Sequence, residues 1–279
     1  MRTIIGILAV TALAVIAGRA GSTIDPTARR GYGANIGWLD WQYDTASPEG
    51  VTVESYRLEG KIYSANTGWI DTGSGTPASG IYYAQTGGEW GVNHDGSGGL
   101  SGWAYGANIG WIQFDPSIAT PPRVDLVTGA MSGAVYGANV GWISLDGLVT
   151  SISMGEDSDG DGIADAWEFE MLTLAGKPLS LTTLGGKDSD GDGVPDVDEY
   201  EDDTDPFDPT DYLRITSFSQ SGGIASLTWN GSPRRLSEVW KSTDLSAWTS
   251  TGAPSISFSA LVPTGGVPRL FFRVESSLP

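Results

Sequence analysis

The alternation of apolar and polar positions predicts short β-strands over most of the chain. Runs such as Val51-Thr52-Val53-Glu54 and Val124-Asp125-Leu126 place apolar side chains at every second position, and Gly, Asn, Ser and Pro separate the runs. A period of two turns one side of a strand toward a core and the other toward solvent. Near the C-terminus the pattern predicts further strands at residues 213–218, 224–229, 237–240, 256–258 and 270–274.

One segment follows a helical period instead. Residues 165–172 place Trp167 and Met171 on the same face of a short helix. The residues before this helix (149–154) and residues 180–186 have an extended pattern. The sequence therefore predicts one or two short helices in a mainly β chain.

An internal repeat organises the first half of the chain. The motif Tyr-x-Ala-Asn-x-Gly-Trp occurs four times, and its asparagines are Asn35, Asn66, Asn108 and Asn139. Their spacings of 31, 42 and 31 residues show that a two-motif unit of 73 residues has been duplicated. We expect a hairpin around each Ala-Asn-x-Gly turn, with Asn and Gly supplying the positive φ of the turn. Repeats of this length normally share one continuous core.

The repeated Tyr and Trp residues allow two interpretations. One buried Trp per repeat would anchor the packing of the sheet, and we favour this because architecture has to repeat whereas a binding site does not. Alternatively, exposed rings would form a platform for sugar rings, with Asn and Asp supplying hydrogen bonds. Residues 87–96, which include Trp90 and His94, lie in the longer 42-residue spacing and break the pattern. They are the better candidate for a specialised surface.

Composition excludes several classes of function. The formal net charge is −19, which excludes a nucleic-acid partner because phosphate binding needs clustered Lys and Arg. The chain has no Cys, so disulfides, thiolate chemistry and Cys-ligated metal sites are excluded. A Ser-His-Asp arrangement would have to use His94, the single histidine, and no nucleophile-elbow motif accompanies it.

The acidic side chains are concentrated in one segment. Residues 151–211 hold 19 acidic and 2 basic residues, whereas residues 21–150 have a net charge of −7 and residues 212–279 a net charge of +3. Such an acidic block would repel itself and stay disordered unless cations neutralised it. The charge distribution therefore divides the chain at about residues 150 and 211.

Two loops in the acidic segment have the pattern of calcium-binding loops. Residues 157–168 and 188–199 both place carboxylates at loop positions 1, 3, 5, 9 and 12, with Gly at position 6 for a sharp turn. Calcium takes roughly six to eight oxygen ligands, including the main-chain carbonyl at position 7. The predicted ligands of about two Ca²⁺ ions are Asp157, Asp159, Asp161, Ile163, Asp165 and Glu168 in the first loop and Asp188, Asp190, Asp192, Val194, Asp196 and Glu199 in the second.

These loops resemble the thrombospondin type-3-like calcium repeats of bacterial secreted proteins, in which Asp-x-Asp-Gly-Asp-Gly loops precede short helices. Asp202-Asp203-Thr204-Asp205-Pro206 resembles the close of such a repeat. The resemblance implies that the loop carboxylates are calcium ligands, although Glu168 and Glu199 stand where many of those repeats have Asp. A paired EF-hand with two helices per loop is not expected, and a sensor role would need a helix pair that opens.

Other segments resemble parts of surface proteins. The Ala-Asn-Ile-Gly-Trp motif resembles repeats in large bacterial cell-surface proteins over residues 31–147, and this implies a surface location. Residues 242–248, Ser-Thr-Asp-Leu-Ser-Ala-Trp, are similar to part of the C-terminal modules of bacterial secreted proteins.

The N-terminus has the pattern of a signal peptide. A short positive start precedes an uncharged run over residues 4–17, and small residues precede a cut after Ala20. The alternative is an uncleaved N-terminal anchor. We expect residues 1–20 to be removed from a secreted or cell-surface protein that has no later membrane span.

The predicted fold is mainly β, with a repeat-built antiparallel β domain (21–150), a short calcium-loop connector with one or two short helices (151–211), and a small C-terminal β-sandwich (212–279). Arg234 and Arg235 are expected in a solvated turn rather than in an anion site.

The first functional hypothesis is a secreted, non-catalytic surface or matrix protein, whose bound Ca²⁺ rigidifies the linker between two β domains. The second is a carbohydrate-binding protein that uses the aromatic side chains of the repeat domain, with cell-surface glycans or matrix proteins as partners. The third is a glycoside hydrolase that uses paired carboxylates.

Overall fold

A computed structural model describes residues 21–44 and 49–279 of the chain. The expected signal peptide, residues 1–20, lies outside the described residues. The described part is mainly β, with antiparallel sheets and two helices, as the sequence predicts. Neither helix in this part has the length and apolar character needed to cross a membrane.

Residues 21–150 form a closed, barrel-like antiparallel sheet. The strands of this region are β1 (Ile24–Gly33), β2 (Gly37–Asp40), β3 (Val51–Val53), β4 (Leu58–Ser64), β5 (Gly68–Asp71), β6 (Val92–His94), β7 (Leu100–Gly106), β8 (Gly110–Phe114), β9 (Arg123–Val124), β10 (Met131–Ser132), β11 (Ala134–Gly137), β12 (Gly141–Ser144) and β13 (Leu148–Thr150). All of them join the closed sheet except β9 and β10, which pair with each other as a separate two-stranded sheet. The strand order β12-β11-β8-β7-β5-β4-β2-β1 closes on itself, because β1 pairs with β12 through Tyr32 opposite Ser144 and Gly33 opposite Ile143.

Each of the four motifs forms one hairpin of this ring. The hairpins are β1–β2, β4–β5, β7–β8 and β11–β12, and each has the motif turn at its tip. Alternate side chains fill the interior, and they include Leu39, Ile62, Ile70, Ala104, Ile112, Val135 and Ile143. The repeats therefore share one continuous core, and burial of each large apolar side chain contributes roughly 1.5–3 kcal/mol.

The motif asparagines link neighbouring hairpins. Each side-chain amide donates to a main-chain carbonyl in the preceding turn of the ring, at 2.9–3.0 Å: Asn66 to Ile36, Asn108 to Thr67, Asn139 to Ile109, and Asn35 to Val140. We expected Asn and Gly to share the positive φ of the turn, but only the glycines adopt it, with φ of 76° to 82° at Gly37, Gly68, Gly110 and Gly141. The motif needs Asn for a bond between hairpins, which a single repeat cannot reveal.

The turn also explains a pair of coupled substitutions. A Cβ at Gly33 would lie 2.7 Å from the side chain of Ile36, because that side chain folds back under the hairpin. In the second hairpin Ser64 replaces this glycine and the smaller Thr67 replaces the isoleucine. The two positions vary together because they share one volume in a closely packed interior.

The acidic segment folds as loop, helix, loop, helix. Helix α1 (Asp165–Leu174) follows the first acidic loop (157–168), and α2 (Asp196–Asp202) follows the second acidic loop (188–199). The described residues directly before each loop (149–156 and 175–187) contain no helix, so each loop is flanked by a helix on its C-terminal side alone. Trp167 and Met171 of α1 pack with Tyr200 of α2 and with Tyr56 and Ile81 of the closed sheet.

The tail forms a sandwich of two three-stranded sheets. Its strands are β14 (Ile215–Ser221), β15 (Ile224–Trp229), β16 (Leu236–Ser242), β17 (Thr249–Ser250), β18 (Ser259–Pro263) and β19 (Phe271–Ser277), in the orders β14-β15-β18 and β17-β16-β19. Leu227 and Val239 contribute to the shared core from opposite sheets. The strand predicted at 256–258 was wrong: it begins at Ser259, and Ile256 is exposed.

Arg234 and Arg235 lie where the three regions meet. Arg235 is 3% exposed and donates to the carbonyl of Tyr200 at 2.6 Å. Arg234 binds the Glu170 carboxylate at 2.8 Å and lies over the ring of Tyr56, 4.7 Å from its centroid. The prediction of a solvated turn was wrong, because the partners of both arginines come from distant segments of the chain.

Candidate functional site

The first acidic loop brings three carboxylates together. Asp157, Asp159 and Asp161 each place an oxygen within 4.8 Å of the other two. Asp157 accepts the N–H groups of Gly160 at 2.8 Å and Gly162 at 3.1 Å, which curls the loop around the cluster. Oδ2 of Asp161 is buried and has no hydrogen-bond partner within the described ranges. This triad can hold a metal ion.

The second acidic loop repeats this geometry. Asp188, Asp190 and Asp192 form an equivalent triad. Asp188 accepts the N–H groups of Gly191 at 2.7 Å and Gly193 at 3.0 Å, each within 0.1 Å of the counterpart in the first loop. Oδ2 of Asp190 and Oδ2 of Asp192 are buried without a partner in the described part of the chain. The chain therefore contains two similar clusters that can hold metal ions.

A buried glutamate accompanies each triad. Glu168 lies in the first turn of α1 and Glu199 in the first turn of α2, and both are 0% exposed. None of their four carboxylate oxygens has a hydrogen-bond partner in the described chain. Burial, together with the nearby Asp carboxylates, raises the pKa of Glu168 and of Glu199 to about 8. An unpaired buried carboxylate is costly, and a bound cation would remove that cost.

The carboxylates at loop position 9 accept hydrogen bonds from a serine of their own loop. Asp165 accepts both the N–H (2.7 Å) and the hydroxyl (2.5 Å) of Ser158, one bond per oxygen. Asp196 holds Ser189 in the same way, at 2.8 Å for both bonds. These two predicted ligands lie outside the triads and tie each loop back to the start of its helix.

The peptides at loop position 7 are fixed in place. The N–H of Ile163 donates to Asp161 at 2.9 Å, and the N–H of Val194 donates to Asp192 at 2.7 Å. Ile163 is fully buried, so its side chain anchors the first loop in the core shared with the helices. The residues whose carbonyls were predicted as ligands are thus held directly beside the triads.

The two loops and helices form one structural unit. Gly185, which precedes the second loop, packs directly on the Asp161 carboxylate, where a Cβ would collide with it. The indole N–H of Trp167 donates to Asp203 at 3.0 Å, and the Trp167 and Tyr200 rings lie 5.2 Å apart. A change at one triad therefore acts on residues that also support the other.

The motif tryptophans lie on the outside of the closed sheet, contrary to our expectation of burial. Their exposed fractions are 60% for Trp38, 45% for Trp69, 46% for Trp111 and 53% for Trp142. Alternation decides this, because the aliphatic residue that follows each Trp points into the core and the Trp therefore points out. Each indole packs against the Tyr of its own hairpin, with ring centroids 4.8–5.0 Å apart.

Residues 87–96 contribute one aromatic wall to a surface cleft. Trp90 joins Trp103 and Trp111 around an open cleft of about 330 Å³. His94 is 1% exposed, and its Nδ1 hydrogen-bonds the carbonyl of Glu54 at 2.8 Å. Burial lowers the pKa of His94, so the ring is a neutral core group and not part of the cleft.

Sequence reasoning missed Trp103, although one signal was present. Trp103 occupies a repeat position that the other three hairpins fill with Arg, Lys or Ala, as a full alignment of the repeats shows. No protein-family model matches the sequence, and comparisons with curated proteins and with solved structures give no significant match. Functional arguments therefore rest on the acidic loops and on the aromatic exterior.

Proposed function

We propose that each acidic loop binds one Ca²⁺ and that the two ions rigidify the segment between two β domains of a secreted or cell-surface, non-catalytic protein. The buried glutamates carry the proposal. Glu168 and Glu199 present carboxylate oxygens that lack partners in the described chain, next to triads that can hold a metal ion. A fold that buries four such oxygens without a cation would be strongly disfavoured at neutral pH.

The donor set favours calcium over other metals. The triads and glutamates offer only carboxylate oxygens, which are the ligands of hard cations. Zinc and copper sites normally use His or Cys, and the single histidine is buried in the closed sheet. Calcium accepts a flexible cage of roughly six to eight oxygens, whereas magnesium requires a smaller octahedral one.

Bound ions would fix the relative position of the two β domains. Each triad is joined through its loop to the first turn of a helix. Helix α1 contacts the closed sheet, where the Tyr56 hydroxyl donates to Glu170 at 2.8 Å. Helix α2 contacts the tail, where Arg235 donates to the Tyr200 carbonyl at 2.6 Å. Ions that order both loops would therefore order both contacts.

Calorimetry of chelator-treated protein tests this proposal. Titration with Ca²⁺ should show binding of two ions per chain, and the melting temperature should rise by mass action. Mg²⁺ at the same concentration should produce a smaller rise. Glu168→Gln should weaken one of the two binding events, whereas Glu201→Gln, at an exposed position of α2, should change neither. Absence of binding heat and of a thermal shift with Ca²⁺ would contradict the proposal.

We propose carbohydrate binding by the closed sheet as a second function, which is compatible with the first. The observation that favours it is the exposure of all four motif tryptophans, each supported by a tyrosine. Aromatic rings held rigidly at a surface supply contact area at low entropic cost. Retention of the calcium-loaded protein on immobilised glycans tests this role, and a folded protein that binds no glycan would rule it out.

The cleft chemistry supports binding rather than hydrolysis. Glu89 is the carboxylate that lines the cleft. Its two oxygens accept the N–H groups of Ala78 at 2.6 Å and Ala84 at 2.7 Å, and these bonds lower the pKa of Glu89. A glycosidase acid needs a raised pKa and a proton to donate. We therefore expect no turnover of glycosides.

A further inference from the structure

One hairpin differs from the other three at an outward-facing position. The position lies two residues before the motif Tyr, and it faces one residue of the next strand. From the first hairpin to the fourth, the facing pairs are Arg30–Asp40, Lys61–Asp71, Trp103–Gln113 and Ala134–Ser144. The first two pairs are ion pairs, at 3.7 Å and 3.1 Å. The third hairpin carries an indole instead, although the ring closes without one at this position in the other hairpins.

Trp103 becomes part of a three-tryptophan group. Trp111 lies between the other two rings, with its centroid 5.1 Å from Trp90 at 87° and 6.2 Å from Trp103 at 78°. Trp90 comes from the extra residues that lengthen the second spacing from 31 to 42. The insertion that carries Trp90 and the substitution that introduces Trp103 thus both place an indole against the motif residue Trp111.

The loop above these rings is held in an unusual conformation. Gln85 has φ of 59°, in the left-handed region that non-glycine residues rarely adopt. Its Nε2 donates to the carbonyl of Gly91 at 2.7 Å, while its Oε1 is buried and has no partner among the described residues. Strained residues with unsatisfied polar atoms concentrate at ligand sites, where a ligand can satisfy them.

We propose that this tryptophan cleft, formed by Trp90, Trp103, Trp111 and Gln85, binds an oligosaccharide of gluco-configured pyranoses. The inference rests on the carbohydrate-binding role proposed above and assigns its site. Pyranoses with equatorial hydroxyls present flat C–H faces that pack on indole rings, and three indole rings meet at this cleft. A volume of about 330 Å³ lies at the small end of ligand sites and suits a mono- or disaccharide unit.

The charge of the cleft favours a neutral ligand. Glu89, the carboxylate among the lining residues, is occupied by two backbone N–H groups. A cleft built around a quaternary ammonium group would offer ring faces and a free carboxylate to the cation. The observed lining offers ring faces, which match the C–H faces of a sugar.

Matched variants test the location of the site. The double variant Trp103→Lys with Gln113→Asp copies the pair that the second hairpin uses at this position, so it should fold with little change in melting temperature. Trp142→Ala removes an exposed motif Trp from the fourth hairpin, outside the cleft lining, and serves as the control. Cellotetraose, chitotetraose and maltotetraose are titrated into the calcium-loaded full chain by calorimetry, with tetramethylammonium as the comparison ligand.

We expect at least one of the three tetrasaccharides to bind, with at least a tenfold loss of affinity in the double variant and no change in Trp142→Ala. If glycan affinity falls in Trp142→Ala and not in the double variant, the site is wrong while the carbohydrate-binding role stands. If tetramethylammonium binds and the tetrasaccharides do not, the ligand class is wrong. If no glycan binds the folded wild type, the role and the site both fail.

Discussion

Replacing Glu168 by Gln should change stability in opposite directions with and without calcium. Without the ion, wild-type Glu168 has a carboxylate that is 0% exposed and has no partner in the described chain. Gln has nearly the same shape but does not titrate, so it removes the cost of keeping this buried group protonated at neutral pH. With calcium bound, the same substitution removes a predicted ligand and its negative charge.

The pKa of Glu168 sets the size of the effect. A rise from 4.5 to about 8 means that the unfolded chain releases this proton at lower pH than the folded chain does. Stability is therefore fully present below the unfolded pKa and is lost as pH rises toward 8. Linkage gives a cost on the order of 3 kcal/mol at pH 7 and under about 1 kcal/mol at pH 5. In chelator, Glu168→Gln should therefore exceed the wild type in stability at pH 7 and nearly equal it at pH 5.

Thermal unfolding in chelator and in millimolar Ca²⁺, at pH 5, 7 and 8.5, measures this directly. For an independently folded unit of this size, 1 kcal/mol corresponds to about 2–4 °C in melting temperature. The exposed Glu201→Gln is the control and should follow the wild type in every buffer. A variant that is less stable than the wild type in both chelator and calcium at pH 7 would refute the reasoning.

Three further predictions follow from other contacts. Asn108→Ala should lower the melting temperature by about 2–4 °C, because loss of one hydrogen bond to the Thr67 carbonyl costs about 1 kcal/mol. Asn108→Asp should not restore the melting temperature, since a carboxylate cannot donate this bond. Combining Arg234→Met with Glu170→Gln in a double-mutant cycle should give a coupling energy of about 1–2 kcal/mol. The two charged groups lie 2.8 Å apart and are largely shielded from solvent. An additive result would show that the junction does not depend on this pair. Acidification from pH 7 to 5 should narrow the stability advantage of the wild type over His94→Gln. Because the pKa of His94 is lowered in the folded chain, the unfolded chain takes up the proton at higher pH, and the wild type loses stability as the pH falls. A difference in melting temperature that stays constant would show that His94 does not titrate this way.

The sequence predicted the class of fold and the number of hairpins but not the closure of the sheet. Four copies of one motif predict four similar hairpins, and alternation predicts which side of each strand is apolar. Whether the first and last hairpins meet depends on the twist accumulated across the sheet, which no local pattern records. The pairing of Gly33 with Ile143 therefore had to come from the structure.

The orientation of the motif tryptophans was misjudged for a different reason. Large apolar residues are usually buried, and residue type alone therefore predicts that Trp38 lies in the core. Its neighbour Leu39 is the residue that points inward, and this places Trp38 on the outer face. Adjacent residues of a strand cannot both point inward. Trp41 lies two residues after Leu39, so it points to the same side as Leu39, and it is 1% exposed.

The acidic loops were predictable to the level of the triads. Their spacing located Asp157, Asp159 and Asp161 together, since a tight loop brings alternate side chains to one centre. Spacing could not show that Asp165 is engaged by Ser158 or that Arg235 is buried beside α2. These features depend on which donors happen to surround a group in three dimensions.

Closure of the ring also has a kinetic consequence. The bond from Asn35 to the Val140 carbonyl joins residues 105 positions apart, whereas the bond from Asn66 to Ile36 spans 30. Contacts of high sequence separation have a larger loop-closure cost and form late in folding. A chain emerging from its N-terminus can build three hairpins in order, but the edge of β1 stays open until the fourth arrives. During synthesis, that unpaired edge is open to wrong strand partners until the ring closes.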